Sequence, residues 1–288
     1  MPEKITVPAV RLMKGRRKIA MVTAYDYMTA RLAEVAQMDI VLVGDSLANV
    51  IQGRGHTLEV TVDAMVYHTR MVKEALTKPL LVADMPFGSY HVSVEKGMEN
   101  AVRLIQQGGA EAVKLEGASE HKYAFIARLV EYDIPVMGHI GLTPQSIHAF
   151  GSYRVQGKQM AEAENLVRQA CMLSQAGVFA VVLEGIPAEV AALITEKISI
   201  PTIGIGAGAE CDGQVLVIHD LLGMGEQPVA KFVKQYARLW PQAVDALKAY
   251  AQDVRDGRFP GREHVYQTKT LDINLLRKRL DRARHQDD

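Results

Sequence analysis

The chain has 288 residues with 33 basic and 33 acidic side chains, so its formal net charge is zero, and 48% of its residues are hydrophobic. These totals are typical of a globular protein and give no sign of nucleic acid or an anionic membrane as a partner. Two cysteines do not make a disulfide framework. Residues 1–18 are basic without the apolar stretch of a secretory signal, and no run of about 20 apolar residues could span a membrane. We therefore expect a cytoplasmic protein, and the neutral charge is compatible with a homo-oligomer.

Short apolar runs recur along the chain and predict the strands of a parallel sheet. Continuous apolar runs of this length suit strands that are buried on both faces. The eight runs are Ile19–Tyr25, Ile40–Ser46, Pro79–Pro86, Ala112–Gly117, Pro135–Gly141, Phe179–Gly185, Pro201–Gly208 and Gln214–Asp220.

Segments with the apolar spacing of amphipathic helices lie between these runs. They are Val60–Leu76, Val94–Gln107, Ser119–Glu131, Met160–Gln175 and Pro187–Lys197. Strand alternating with helix predicts an α/β fold, the (β/α)8 TIM barrel, with an open doubly wound sheet as the alternative. Eight strands favour closure, because a closed barrel has no exposed edges.

The C-terminal part of the chain is predicted to be helical. A long helical region is expected from Pro228 to Arg255, and a charged helix with a thin apolar stripe from Leu271 to Arg284. We therefore predict a single barrel catalytic domain over residues 1–266, followed by a helical tail over residues 267–288.

Three acids lie near the ends of consecutive predicted strands, where barrel enzymes carry their active sites. They are Asp45, Asp84 and Glu116. Two unit charges about 4 Å apart repel by on the order of 4 kcal/mol at an effective dielectric near 20. One divalent cation would turn this repulsion into attraction, and oxygen ligands favour Mg²⁺ over Zn²⁺. The alternative is that each acid is paired with a base or caps a helix.

Lys114 and Glu116 are two residues apart, so both are predicted to point into the barrel while Val113 and Leu115 point outwards. Lys114 could donate to an anionic substrate or intermediate. It could instead be a Schiff-base nucleophile, although a neighbouring carboxylate keeps its amine protonated and argues against that role. The simplest alternative is a buried ion pair between Lys114 and Glu116.

Two further polar residues and one glycine motif stand at predicted strand ends. Glu184 could be a general base or could cap the helix that begins near Pro187. His139 could donate to substrate or be a strand-end histidine with a structural partner. Gly204–Gly208 could bind phosphate through its backbone amides or serve only a tight turn.

Motifs that are specific in combination cover about residues 5 to 266. They are Val22–Asp26, Val43–Leu47, Tyr67–Thr69, Asp84–Tyr90, Val113–Gly117, Gly138–Gln145, Gly204–Gly208 and Cys211–Val217. Together they resemble the ketopantoate hydroxymethyltransferase family. The chain departs from the family pattern at Ala118, where a second glycine is usual, and at Ala48-Asn49, where Gly-Met is common.

The resemblance implies a (β/α)8 barrel related to the phosphoenolpyruvate mutase and isocitrate lyase group. It also implies one Mg²⁺ per subunit and a decamer of two pentameric rings. The metal residues that it implies are Asp45, Asp84 and Glu116, with Glu116 acting either directly or through water. The substrate-binding residues that it implies are Asp45, Ser46, Asp84, Lys114 and His139, and Glu184 corresponds to the proton acceptor.

The reaction that the resemblance implies joins a 2-oxo acid to a folate-bound one-carbon unit. The Mg²⁺-bound enolate of 3-methyl-2-oxobutanoate would attack methylenetetrahydrofolate, giving 2-dehydropantoate and tetrahydrofolate. One rival is a lyase of the phosphoenolpyruvate mutase type with another electrophile. Others are a Schiff-base aldolase that uses Lys114 and a barrel that serves only as an oligomeric scaffold.

Overall fold

A computed structural model describes residues 3–152, 154–226 and 228–284. The chain forms two compact units, one ending at Arg238 and the other beginning at Leu239. The predicted division into a catalytic domain over residues 1–266 and a tail over residues 267–288 stays a prediction.

The first unit contains a closed barrel of eight parallel strands in sequence order. The strands are β1 (Ile19–Thr23), β2 (Ile40–Val43), β3 (Leu80–Asp84), β4 (Ala112–Glu116), β5 (Val136–Gly141), β6 (Ala180–Glu184), β7 (Thr202–Ile205) and β8 (Gly213–Leu216). β1 pairs with both β2 and β8, which closes the sheet. The predicted barrel is therefore confirmed, and the open sheet is excluded.

Helices precede, separate and follow the strands along the chain. In the described residues they are α1 (Val7–Met13), α2 (Tyr27–Val35), α3 (Leu47–Val50), α4 (Val62–Lys73), α5 (Val94–Gln106), α6 (Glu120–Glu131), α7 (Ile147–Phe150), α8 (Met160–Gln175), α9 (Ala188–Lys197), α10 (Ile218–Leu222), α11 (Leu239–Arg255) and α12 (Ile273–Arg284). The five predicted helices between the strands are present. Short 3₁₀ turns lie at Thr57–Glu59, Pro144–Ser146 and Arg262–His264.

Several strands are shorter than the apolar runs that predicted them, and two predicted boundaries differ most from the structure. The last strand was expected to reach Asp220, but it ends at Leu216 and α10 begins two residues later. The backbone N–H of Ile218 donates to Thr23 Oγ1 at 3.0 Å, which gives the first turn of this short helix a side-chain partner. The helical region expected from Pro228 begins only at Leu239, because residues 228–238 form no helix.

Strand residues divide into two hydrophobic layers according to the face they occupy. Val113 and Leu115 belong to the outer layer with the helices, whereas Ala112 belongs to the inner layer with side chains from the other strands. Lys114 and Glu116 share the inward face with Ala112, as the two-residue spacing predicts. Apolar residues fill the interior below these two charges, so the charged groups are held at one end of the barrel.

Helix α1, which the sequence pattern did not predict, closes the other end of the barrel. Its residues Val10 and Met13 are buried in the inner apolar layer. Thr6 caps the helix by accepting a hydrogen bond from the N–H of Ala9. An ion pair of 2.9 Å between Lys14 and Asp212 ties the helix end to the segment before β8.

The second unit contains α11 and α12. Neither helix has a buried residue among those described in this unit. The ring of Phe259 lies 5.5 Å from that of Tyr250 and 5.2 Å from that of His264. These contacts connect α11 to the 3₁₀ turn that follows it. In the part of the chain that the structure describes, no helix is both long and apolar enough to cross a membrane.

Candidate active site

A cavity of about 200 Å³ lies at the C-terminal ends of the strands. Every residue that the sequence pointed to as a site residue lines it. These are Asp45, Ser46, Asp84, Lys114, Glu116, His139 and Glu184. The barrel thus gathers side chains that are up to 139 positions apart in the sequence, and their roles follow from how they contact one another.

Strand register decides which charged groups pair. Lys114 is the register partner of Asp84 on β3, and Glu116 is the register partner of His139 on β5. Neighbouring strands lie about 4.8 Å apart, whereas residues two apart on one strand are about 6.6 Å apart. Lys114 therefore pairs with Asp84 at 2.5 Å, and not with Glu116 as the simplest alternative had it.

Asp84 uses its two oxygens differently. Oδ1 forms the ion pair with Lys114, and Oδ2 accepts a hydrogen bond of 3.0 Å from the backbone N–H of Asp45. Gly44 leaves room for the Ser46 side chain, since a Cβ atom there would lie 2.7 Å from Ser46 Oγ, whereas its distance of 3.5 Å from Asp84 Oδ2 would be an ordinary contact. The Gly-Asp-Ser sequence after β2 thus brings a backbone amide onto a carboxylate of the next strand.

The ammonium group of Lys114 is held in its charged form. Burial alone would lower its pKa, but the carboxylates of Asp84, Glu116 and Asp45 outweigh burial and raise the pKa above its usual value. A Schiff-base nucleophile must lose this proton before it can attack a carbonyl group. The environment of Lys114 therefore favours the role of a charged donor.

His139 lies between two acids. Its Nδ1 is 3.6 Å from Glu116 Oε1, and its Nε2 is 3.3 Å from Glu184 Oε2. Both contacts are electrostatic as they stand, because neither ring nitrogen makes a well-aligned hydrogen bond within the described residues. Burial and the charge of Lys114 would lower the pKa of His139, but the two carboxylates raise it to about 9.

The pKa of Glu116 moves in the opposite direction. Burial alone would raise it, but the adjacent His139 and the charge of Lys114 lower it below its usual value. His139 is therefore positively charged at neutral pH and Glu116 is ionised. This arrangement connects Glu116 to Glu184 through one imidazolium ring.

Gln145 is a residue that the sequence reasoning did not single out. Its Nε2 donates to Asp45 Oδ2 at 2.8 Å and to the carbonyl of Met85, and its backbone N–H donates to Glu116 Oε2 at 3.0 Å. Its Oε1 in turn accepts from the Tyr90 hydroxyl. Gln145 follows β5 within the Gly138–Gln145 motif, and a buried amide directly after a strand was the available signal.

Ser46 and Thr57 complete the polar wall on the β2 side. The Ser46 hydroxyl is 2.8 Å from the hydroxyl of buried Tyr25. Thr57, in the 3₁₀ turn before α4, is only 2% exposed and lines the cavity, and its hydroxyl has no hydrogen-bond partner among the described residues. Such a group costs free energy unless something in the cavity bonds to it. No periodic pattern marks Thr57 in the sequence.

The residues that depart from the family pattern leave the charged groups in place. Ala48 is buried in α3, and Ala118 is buried in the loop after β4. Asn49 is different because it lines the cavity.

The glycine motif Gly204–Gly208, which begins within β7, allows close packing at the end of this strand. Gly206 has φ +62°, and a Cβ atom there would lie 2.9 Å from the ring of Phe232. Gly208 has φ +86°, and a Cβ atom would lie 2.5 Å from that of Ala188. These conformations and contacts favour the tight-turn interpretation of Gly204–Gly208.

The charges around the cavity fit a divalent cation. Five carboxylates (Asp45, Asp84, Glu116, Glu184 and Asp220) line the cavity with two positive groups, so the lining has a formal charge of −3 when every carboxylate is ionised. Burial, together with the charges of Asp84 and Glu116, raises the pKa of Asp45 well above its usual value. A cation beside Asp45 would relieve that repulsion.

In the described part of the chain, fewer than three acidic side chains converge closely enough to form a metal site by themselves. Within residues 3–152, 154–226 and 228–284, no three His, Cys, Asp or Glu side chains converge as a ready metal group. Asp45 and Asp84 are the adjacent pair, and Mg²⁺ commonly uses one or two carboxylates while keeping several waters. The oxygen donors present therefore fit Mg²⁺, and the three-acid ligand set stays a prediction.

Fold and cavity together define a class of protein: a barrel enzyme with a cluster of buried charges around a small cavity at the C-terminal ends of its strands. The sequence profile of the ketopantoate hydroxymethyltransferase family matches residues 4–262. The chain belongs to this family and is an enzyme of this kind.

Relatives match nearly end to end. A 3-methyl-2-oxobutanoate hydroxymethyltransferase from Pelobacter propionicus is 54% identical over 267 residues, which are 92% of this chain and 98% of the relative. The enzyme of the same name from Pyrococcus abyssi is 53% identical over 281 residues, which are 96% of this chain and 99% of the relative.

Solved structures with low sequence identity share the fold. Phosphoenolpyruvate phosphomutase from Streptomyces platensis subsp. rosaceus has a TM-score of 0.60 at 15% identity, covering 97% of this chain and 99% of its own. A 2,3-dimethylmalate lyase of the PEP mutase/isocitrate lyase superfamily has a TM-score of 0.58 at 17% identity, covering 99% of both chains. Phosphonopyruvate hydrolase in complex with oxalate and Mg²⁺ has a TM-score of 0.58 at 14% identity, covering 96% of both. These similarities support the barrel fold.

Proposed function

We propose that the enzyme transfers the one-carbon unit of methylenetetrahydrofolate to C3 of 3-methyl-2-oxobutanoate. The products are 2-dehydropantoate and tetrahydrofolate, and one water molecule is consumed to supply the new hydroxyl group. The observation that carries the proposal is the position of Glu184. Its side chain is 17% exposed at the cavity wall, while one of its oxygens is held by His139 at 3.3 Å.

Glu184 is suited to take a proton from carbon. The side chains of Asp84 and Glu116 are only 4% and 2% exposed and are engaged by Lys114 and His139. Glu184 keeps one oxygen free of hydrogen bonds and ion pairs within the described residues, and His139 fixes its orientation. A base that is oriented by a second group and open to substrate is the arrangement that proton abstraction requires.

The 2-oxo acid would lie between the β2 loop and Lys114. The Asp45 and Ser46 segment, which lines the cavity, would hold its carboxylate, and the charged Lys114 amine would stabilise the negative charge that develops on the enolate. Glu184 removes the C3 proton. The enolate carbon then forms a bond to the one-carbon unit, and both bonds from that unit to folate nitrogens break. Water supplies the oxygen of the new hydroxyl group. Its two protons and the proton taken by Glu184 end on the hydroxyl group and the two released folate nitrogens.

Asp45 and Asp84 would hold a Mg²⁺ ion, with Glu116 acting through water. When bound, the ion supplies positive charge to the carbonyl and carboxylate oxygens of the substrate. The net negative charge of the cluster and the raised pKa of Asp45 support this assignment. The phosphonopyruvate hydrolase of similar fold was crystallised with oxalate, a small dianion, and Mg²⁺.

Deuterium exchange at C3 tests the proposal at its first step. The wild-type enzyme is incubated with Mg²⁺ and 3-methyl-2-oxobutanoate in D₂O without folate, and loss of the C3 proton signal is followed by NMR. We expect Glu184→Gln to slow exchange at least about 100-fold, the usual share of a general base. The matched control is Glu189→Gln on α9, which is exposed and should exchange as the wild type does. Exchange at the wild-type rate in Glu184→Gln would contradict the assignment.

Folate dependence separates this function from its rival. A lyase of the phosphoenolpyruvate mutase type would turn over its substrate without methylenetetrahydrofolate. We expect no product from 3-methyl-2-oxobutanoate unless the folate is present, and chelation of Mg²⁺ should stop both exchange and product formation.

We also propose a cytoplasmic decamer of two pentameric rings. Exposed apolar side chains on α2 support burial in a subunit interface, since Met28, Leu32 and Val35 are each more than half exposed in the single chain. Native mass spectrometry measures the subunit number directly, and a monomer at micromolar concentration would contradict this part of the proposal.

A further inference from the structure

The cavity has a second wall that the proposed deprotonation does not use. Val217 and Asp220 come from the end of β8 and from α10, and Phe232 comes from the segment after α10. They line the same cavity as Glu184 and Lys114, but carry none of the charged groups that act on the 2-oxo acid. A reaction between two molecules requires the second one to bind within reach of the enolate, and this wall carries none of the groups assigned to the first.

Asp220 offers an unused carboxylate on this wall. It is half-buried, and its side chain makes no hydrogen bond or ion pair with any residue that the structure describes. Burial raises its pKa, with no neighbouring cation to oppose that effect. A partly buried carboxylate without a partner is unfavourable unless a ligand supplies donors to it. Its two oxygens can accept a pair of parallel N–H groups.

Phe232 offers a flat apolar surface in the same cavity. Its ring rests against the backbone of Gly206, where a Cβ atom would lie 2.9 Å away, and 42% of the residue remains exposed. A flat ring that packs on Phe232 would gain the contact energy of an aromatic pair. Gly206, directly after β7, therefore allows the phenyl ring of Phe232 to lie this close to the strand end.

We propose that Asp220 and Phe232 bind the ring of the one-carbon donor, which is a reduced pterin. The Asp220 carboxylate accepts hydrogen bonds from the 2-amino group and the N3–H of the pterin, and Phe232 packs against the ring face. This inference rests on the proposed function. The cavity of about 200 Å³ is smaller than the roughly 300 Å³ or more that encloses most ligands, so the remainder of the folate stays outside it.

The test compares two ligands that differ only at the edge that Asp220 would bind. Binding of tetrahydrofolate and of its 2-desamino-2-methyl analogue to the full-length enzyme saturated with 3-methyl-2-oxobutanoate is measured by calorimetry without oxygen. The wild type should prefer tetrahydrofolate by about tenfold or more, as expected for hydrogen bonds to a charged group. Asp220→Asn should bind the analogue nearly as the wild type does, while the preference falls to about twofold or less. Retained binding of the analogue also reports that the variant is folded.

Two further variants sharpen the result. Phe232→Leu should weaken both ligands by a similar factor, because it removes the ring contact and leaves the carboxylate. Asp133→Asn, an exposed residue at the opposite end of the barrel, should leave both affinities unchanged. A wild-type preference retained in Asp220→Asn would overturn the inference, as would an equal loss of both ligands in that variant. Failure of the wild type to bind tetrahydrofolate would instead refute the proposed function.

Discussion

Lys114→Met tests whether the buried charge cluster is arranged as described. The substitution keeps most of the side-chain volume and removes one positive charge beside Asp84, a residue only 3% exposed. The Asp84 carboxylate would then keep only the backbone N–H of Asp45 as its donor among the contacts described. Breaking a buried ion pair by removing one partner costs about 3–5 kcal/mol. We expect a loss of this size in the free energy of unfolding, measured with urea in the presence of EDTA.

The double variant Lys114→Met with Asp84→Asn separates loss of the pair from loss of packing. It removes both charges, so we expect it to recover most of the lost stability. Lys96→Met is the control, because the ion pair between Lys96 and Glu99 is exposed and is worth less than about 1 kcal/mol. The reasoning is refuted if Lys114→Met costs no more than this control, or if the double variant is as unstable as the single one.

Magnesium provides a second measurement on the same variants. Without Lys114 the cluster is more negative, so added Mg²⁺ should raise the free energy of unfolding of Lys114→Met by more than that of the wild type. Equal stabilisation of both proteins would argue against a cation within this cluster.

Three other changes probe single features. Thr57→Val removes a buried hydroxyl that has no partner among the described residues, so the free energy of unfolding should stay equal or rise. The KM for the 2-oxo acid should increase several-fold. An unchanged KM would show that the hydroxyl does not contact substrate. His139 has a folded pKa of about 9 against an ordinary 6.5, so its stabilising effect is complete below pH 6.5 and is lost as pH rises to 9. In EDTA the wild type should lose on the order of 3 kcal/mol more than His139→Gln over this interval in urea unfolding, and equal slopes would contradict the pKa shift. Gly206→Ala combines a positive φ with a close contact to Phe232 and should cost at least about 1–2 kcal/mol, whereas Gly225→Ala, which meets nothing within 4 Å, should cost little in the same assay.

The inward face of β4 could be predicted from sequence because the strand alternates. Lys114 and Glu116 occupy one parity and Val113 and Leu115 the other, so one buried strand suffices to orient both charges. The partner of Lys114 could not be predicted in the same way. Register between strands that are 30 positions apart decides it, and the sequence of one strand does not contain that information.

Residues outside the strands were harder to predict for a different reason. Gln145 acts through a side chain that reaches Asp45, which is 100 positions away, and Thr57 lies in a long loop without periodicity. Helix α1 is only seven residues long, and its apolar residues become meaningful only when a barrel end is present to receive them. Each of these depends on tertiary contacts rather than on local pattern.

The closure of one barrel end by α1 has a kinetic consequence. Val10 and Met13 fill the interior opposite the cavity, so the 2-oxo acid and its product have no passage through the barrel. If the donor ring lies on Phe232 and Asp220, it covers the oxo acid already seated below it. Binding then follows a compulsory order, with the oxo acid first and the folate second. Tetrahydrofolate must dissociate before 2-dehydropantoate, and added tetrahydrofolate should therefore trap the finished product on the enzyme.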